Sequence, residues 1–497
     1  MKIIISYPPL CNEKGQATLG QNRQFQYFKE PTYIYPVVPA MAATLLKEAG
    51  HEVIWNDCIA EGLDYKQFKD FIQREKPDLI AFETKTPVIK QHWKIINELK
   101  NLTKGLSPQG TVPYVALFGD HVTALPEESF QNSQVDFVLT GGDYDFLLLN
   151  LCNFLTGEPA NPRSTLEPGI YYRDNGSIKN TGAFVLDHDL NSLCFIDRDL
   201  TKWQNYAYKN GNYKSTPGTY IMSGRDCWYH DCTFCSWPTL YPKFRSRKPA
   251  NVLEEVDILR EKYKIREVMD DTGCFPVGDW LREFCHGMIK RGGPKGKFYL
   301  DCNMRFGALT FDDFLLMKKA NFRLLLFGLE SANQVTLDKI NKKVKAGQII
   351  EDCREAAKAG LFPHITIMFG YPWESYEDAL KTLKLGKWLL KKGYAYTMQA
   401  TLVIPYPGTP LFKECQQQRL LRTLDWDCYD MKQPILSSSI PDDKLLELVQ
   451  GMYEISFSPE FILRKIFSLR DLDDMKYFLR AAKKVTGHIL DFKRRFK

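Results

Sequence analysis

Three cysteines stand within nine residues of each other in the segment SGRDCWYHDCTFCSWP, at positions 227, 232 and 235. Thiolates bind soft metals, and three this close can close around one iron–sulfur cube or one zinc ion. A structural zinc site takes four ligands, usually as two separated pairs, and the sequence offers no second C-x2-C. Three thiolates on a cube leave one iron open to a substrate or cofactor. His230, inside the loop, is the alternative fourth ligand, and its use would favour zinc. Cys11, Cys58, Cys152, Cys194, Cys353 and Cys415 are scattered singly and read as small core residues. Cys274, Cys285 and Cys302 lie nearer the triad but show no ligand spacing, so a core role is expected for each.

Such a loop needs a rigid element before it. The run 218–222 supplies a strand, and further strands are expected at 267–270, 298–303, 324–327, 365–369 and 398–404, with helices between. That series predicts a complete or partial β/α barrel over 216–415, with chemistry at the C-terminal strand ends. Ahead of it, strands at 2–6, 51–55, 79–83, 114–118 and 137–139 alternate with helices at 38–49, 65–75 and 88–99. This predicts an α/β domain over 1–150, a Rossmann-like, doubly wound parallel sheet whose ligand lies beyond the carboxyl ends of the strands. The residues expected there are Tyr7, Pro8, Thr84, Thr86, Gly119, His121, Val122, Thr123, Gly141 and Gly142. Small and hydroxyl-bearing residues permit close approach of a large flat or phosphorylated ligand, although ordinary strand-to-helix turns use the same residues. A connection, 151–215, contains a hairpin around Asn175-Gly176. The final segment, 416–497, reads as mainly helical.

The cysteine triad after the first strand of a β/α barrel resembles the radical S-adenosylmethionine superfamily. There the open iron binds the amino and carboxylate groups of S-adenosylmethionine, and electron transfer yields a 5′-deoxyadenosyl radical. The family spacing is C-x3-C-x2-C, whereas this sequence has C-x4-C-x2-C; Phe234 matches the aromatic before the third cysteine. Further matches follow in order: VMDDT with Asp270 and Asp271, DCNMRFG with Asn303 and Arg305, GLES with Glu330 and Ser331, FGYP with Gly370, and YPGTP. The resemblance implies a [4Fe-4S] cluster on Cys227, Cys232 and Cys235, with those residues contacting S-adenosylmethionine. In the first domain YPPL, YPVVPAMAATLLKEAGHEV, GDHVTALPEE and VDFVLTGGD resemble the cobalamin-binding domain of cobalamin-dependent members, although D-x-H-x-x-G is absent. The resemblance then implies cobalamin contacts among the strand-end residues named above and methyl transfer to an unactivated carbon. Low-potential electrons from ferredoxin or flavodoxin are implied too.

Other readings stay open. CTFCSWPTLYPKFRSRKP, with Trp237, Pro238 and Arg245, is similar to hopanoid and pigment enzymes that rearrange or cyclise rings. Methylthiotransferases would need three N-terminal cysteines, and only Cys11 and Cys58 are offered. A non-catalytic cobalamin or redox sensor is the remaining alternative. A net charge of +6 on 497 residues does not make the basic stripe of a nucleic-acid binder. The apolar fraction of 44% and the lack of a long apolar run predict a soluble, cytoplasmic chain acting on a small-molecule or lipid-like substrate. Basic amphipathic stretches at 461–469 and 475–495, with Arg464, Lys465, Lys483, Lys484, Arg494 and Arg495, admit peripheral membrane contact or an ordinary solvated face.

Overall fold

The computed structural model describes all residues except 13, 18–26, 29–31, 103–112, 158–164, 294–296, 470 and 494–497. Arg494 and Arg495 of the basic tail, and the side chain of Cys11, therefore lie outside the described residues.

The first sheet is built from β1 (Lys2–Tyr7), β2 (Glu52–Asp57), β3 (Leu79–Thr84), β4 (Tyr114–Gly119), β5 (Phe137–Leu139), β6 (Ile170–Asp174) and β7 (Ser177–Asn180). Their spatial order is β7-β6-β5-β4-β3-β1-β2, parallel through β5, with the hairpin added antiparallel at one edge. β3 (LIAFET) is buried at every position, as befits a strand covered on both faces. Order reverses beside β1, which makes the carboxyl ends of β1 and β3 the topological switch point.

The second sheet is six-stranded and wholly parallel: β8 (Gly218–Ile221), β9 (Glu267–Asp270), β10 (Tyr299–Met304), β11 (Phe322–Glu330), β12 (Phe362–Phe369) and β13 (Thr397–Leu402), in sequence order. β8 and β13 do not pair, so the barrel is partial. A buried triad closes its floor: the Arg323 guanidinium donates to Glu267 at 2.6 Å and Asp301 at 2.8 Å.

The C-terminal helices Pro459–Phe467 and Leu472–Lys493 pack against that floor. Their basic residues divide between the two sides, with Arg464 and Lys483 exposed. Lys465 turns inward and donates to the Tyr396 carbonyl at 2.7 Å, and Lys484 bonds to Thr32. The outward face carries Phe457, Leu463, Ile466, Phe467, Leu472 and Leu479. Among the described residues no helix is long and apolar enough to cross a membrane.

Candidate active site

The loop that follows β8 is clamped from several sides. Ser223 donates from its backbone N–H to Asp270 at 3.0 Å and from its hydroxyl at 2.5 Å, while the Gly224 N–H reaches Thr272 Oγ1 at 2.9 Å. Trp228 Nε1 donates to the Phe275 carbonyl at 3.1 Å. On the far side Tyr229 bonds to the Asn341 carbonyl, and the Thr233 N–H reaches the Ile340 carbonyl at 3.1 Å. Asp226 and His230 take left-handed conformations (φ 77° and 38°), unusual for residues other than glycine. Of the two, only His230 lies between Cys227 and Cys232, within the longer first spacing of the triad. His230 points to the rim, with 40% of its side chain exposed.

Cys227, Cys232 and Cys235 all line one cavity of ≈ 200 Å³ at the carboxyl ends of the second sheet. Phe234, Asp271, Asn303, Arg305 and Glu330, named from the sequence, line it too. Asp270, Ser331 and Gly370 do not. The Asp270 carboxylate is spent on Ser223 and Thr272, so it shapes the cysteine loop instead. The Ser331 hydroxyl donates to Glu374 at 2.7 Å, and Gly370 backs onto Leu445.

One cation escaped sequence reasoning. Lys342 is buried and donates to Glu330 Oε1 at 2.9 Å. A register shift between Gly328 and Glu330, with Glu330 at φ 61°, turns this carboxylate inward; a Cβ on Gly328 would meet it at 2.1 Å. Burial opposes charge on Lys342, but Glu330 and Cys232 outweigh it and hold its pKa above the ordinary lysine range. Burial likewise pushes the Cys232 thiol up, with Lys342 opposing. Arg305 lies 3.8 Å over the Tyr229 ring, and its buried Nε finds no hydrogen-bond partner. Deeper in the cavity are His364, Thr366, Met368 and Gln399. His364 contacts Thr397 at 2.9 Å, and burial lowers its pKa to about 4, so it is neutral at pH 7.

The first domain is docked onto this loop through charge. Arg225 reaches Asp143 at 2.7 Å and Asp145 at 2.9 and 2.5 Å, and Arg245 and His188 also hold Asp143. The strand-end residues expected to contact cobalamin are gathered at the carboxyl edge of the first sheet, but they meet protein rather than an open cleft. Tyr7 bonds to Glu83, and Pro8 and Val122 are buried. Thr84 contacts His92 at 2.8 Å, Thr86 contacts His121 at 3.2 Å, and Trp426 caps the adjacent Glu128 at 2.9 Å. The Thr123 hydroxyl donates to the Gly119 carbonyl and accepts from the Gly141 N–H. Gly119 lies against Thr84, Gly141 against Phe184, and Gly142 against Tyr241, whose ring would be 1.9 Å from an added Cβ. Only ≈ 10 Å³ remains between Glu83, Lys85, Asp120 and the segment from Ser236 to Tyr241.

The Radical SAM superfamily model matches residues 221–386, which run from the last residue of β8 through the cysteine loop and β9 to β12 with the helices between them. Residues 221–386 are a radical SAM domain. An uncharacterized methyltransferase of Pyrococcus horikoshii is 25% identical over 87% of this chain and 90% of its own length. The anaerobic magnesium-protoporphyrin IX monomethyl ester cyclase of Cereibacter sphaeroides is 25% identical over 84% of this chain and 66% of its length. Among solved structures, the radical S-adenosylmethionine methyltransferase TsrM of Kitasatospora setae, with cobalamin and a [4Fe-4S] cluster bound, superposes with a TM-score of 0.64. It is 14% identical and covers 90% of this chain and 84% of its own, so the shared architecture extends beyond the radical SAM domain to the first sheet. Among the described residues no three His, Cys, Asp or Glu side chains converge on a single ion.

Proposed function

We propose that this chain is a radical S-adenosylmethionine enzyme that methylates an unactivated carbon with the help of cobalamin. The observation that carries the reading is the shared cavity, where the triad's thiols meet Arg305, Glu330, Lys342, Asp271 and Asn303. This donor set fits both groups: soft thiolates for iron, and beside them charged and amide groups, including the orphaned Arg305 Nε, for the amino and carboxylate ends of S-adenosylmethionine. A bound cluster would supply the electron for reductive cleavage of S-adenosylmethionine. Cys227, Cys232 and Cys235 would hold it, with Phe234 lining the same cavity. Glu330 and Lys342 present a fixed ion pair to the cosubstrate, while the walls exclude water. Asp270 and Thr272 set the shape of the loop.

Cobalamin, when bound, supplies a methyl carrier. The first domain has the position for it, at the switch point facing the cysteine loop, but Trp237, Tyr241 and Trp426 cover that edge. The residues named for it do not form a corrin-sized cradle in this arrangement. The support for cobalamin is the architecture shared with the cobalamin-bound TsrM structure.

Ring closure on a pigment precursor is the other reading, raised by the similarity to the cyclase, but the methyltransferase relatives favour methylation over it. A low-potential donor such as ferredoxin or flavodoxin is required in either case. The cavity's mix of Met368, Ile404, Tyr406 and Met431 with Gln399 and His364 suits a largely apolar small molecule with a polar edge. We place the enzyme in the cytoplasm, with the apolar face of 457–479 available to a membrane surface.

The test is anaerobic reconstitution with iron, sulfide and hydroxocobalamin. About four irons per chain and 5′-deoxyadenosine under reduction are expected. S-adenosylhomocysteine with a methylated product separates methylation from ring closure, and absence of deoxyadenosine refutes both.

A further inference from the structure

A fourth cysteine shares the cavity. Cys274 is 2% exposed overall yet lines the same space as Cys227, Cys232 and Cys235. Cys285 and Cys302 are buried and do not line it. Spacing could not reveal Cys274, because it arrives from the end of β9, more than thirty residues beyond the triad.

Its position is tightly set. Cys274 and Cys227 are register partners in an isolated parallel bridge, which places their side chains on the same face. Gly273 lets the two backbones touch, since a Cβ there would lie 2.8 Å from the Asp226 carbonyl carbon and from the Cys227 nitrogen. Trp228 Nε1 holds the Phe275 carbonyl at 3.1 Å, the Phe275 N–H holds the Asn303 carbonyl at 2.9 Å, and Asn303 Nδ2 holds the Thr272 carbonyl at 3.0 Å. The segment carrying Cys274 is thus stitched to the cysteine loop on one side and to β10 on the other.

Iron–sulfur cubes are ordinarily held by four thiolates, and a cube on three leaves one iron exposed to exchange and loss. Resting on the cluster reading above, we propose that Cys274 is a displaceable fourth ligand that closes the open iron until S-adenosylmethionine takes its place. When it binds, the S–H proton passes to solvent as the Fe–S bond forms. When S-adenosylmethionine arrives, that bond breaks and the thiol is reprotonated. No change of oxidation state is involved.

The experiment uses the full chain reconstituted without oxygen, as wild type, Cys274→Ala and Cys274→Ser. Each is treated with mild ferricyanide in the absence of S-adenosylmethionine, and loss of the fourth iron is read as the [3Fe-4S] electron paramagnetic resonance signal. The wild type is expected to resist, and Cys274→Ala to give a severalfold larger signal. Adding S-adenosylmethionine first should bring the two together. Because the thiol competes for the same iron, the apparent Kd for S-adenosylmethionine should fall in Cys274→Ala. Equal signals and equal Kd would overturn the proposal. Cys274→Ser, which keeps the volume, guards against misfolding: a native circular dichroism spectrum with wild-type resistance to iron loss would also count against the thiol. Loss of the cluster itself from the wild type would instead sink the functional reading.

Discussion

Replacing Arg225 with Met should uncouple the two α/β domains and loosen the cluster loop together. The guanidinium is 4% exposed and joins Asp143 and Asp145 of the first domain to the backbone two residues before Cys227. The two acids are not equally dependent on it. Asp143 keeps Arg245 at 2.6 Å and His188 at 3.0 Å, whereas the side-chain bonds of fully buried Asp145 go to Arg225, apart from one backbone N–H of its own turn at 3.1 Å. Removing the arginine therefore strands one buried carboxylate, and breaking such a pair costs about 3–5 kcal/mol. At a urea slope of about 3 kcal/mol/M, the unfolding midpoint should drop by roughly 1–1.7 M. The double variant Arg225→Met, Asp145→Asn removes the orphaned charge and should recover more than half of that loss. Urea titration followed by tryptophan fluorescence measures both, and iron content after desalting reports the loop. A single variant within about 0.5 kcal/mol of wild type, or a double variant no better than the single, would refute the idea that this pair docks the domains.

His188 gives a pH signature. Burial disfavours its charge, but hydrogen bonds to Asp143 and Glu167 prevail and hold its pKa at about 9. Its contribution to stability is fully present below about pH 6.5 and lost as pH rises through about 9; His188→Gln should flatten that stretch of the stability curve, measured by thermal melts. Gly328→Ala would drive a Cβ into the Glu330 carboxylate, so S-adenosylmethionine affinity should fall at least tenfold by equilibrium dialysis while iron content holds. Tyr241→Ala opens the edge over Gly142; retention of hydroxocobalamin on gel filtration should rise, and unchanged retention would mean that this ring does not limit access.

Much of this protein was legible in order along the chain. Hydrophobic runs such as LIAFET mark doubly covered strands, and the triad is a local signal that needs no fold to be seen. Side-chain direction was not legible. Asp270 and Asp271 are neighbours, yet alternation sends one to Ser223 and the other to the cavity. A bulge in β11 turns Glu330 inward beside Ser331, which faces Glu374. Lys342 and Cys274 reach the site from segments with no ligand spacing, through contacts made only when strands register.

Strand and helix order, the parallel sheets and the thiolate triad can be read along the chain, because periodicity, turn residues and short ligand spacings are properties of contiguous residues. Which groups share the cavity, the Arg225 tie to the first domain, and the cover of Trp237, Tyr241 and Trp426 over the first sheet's edge come from the folded arrangement alone. Those outcomes depend on packing between residues tens to hundreds of positions apart, where close approach and burial select partners that no local pattern encodes.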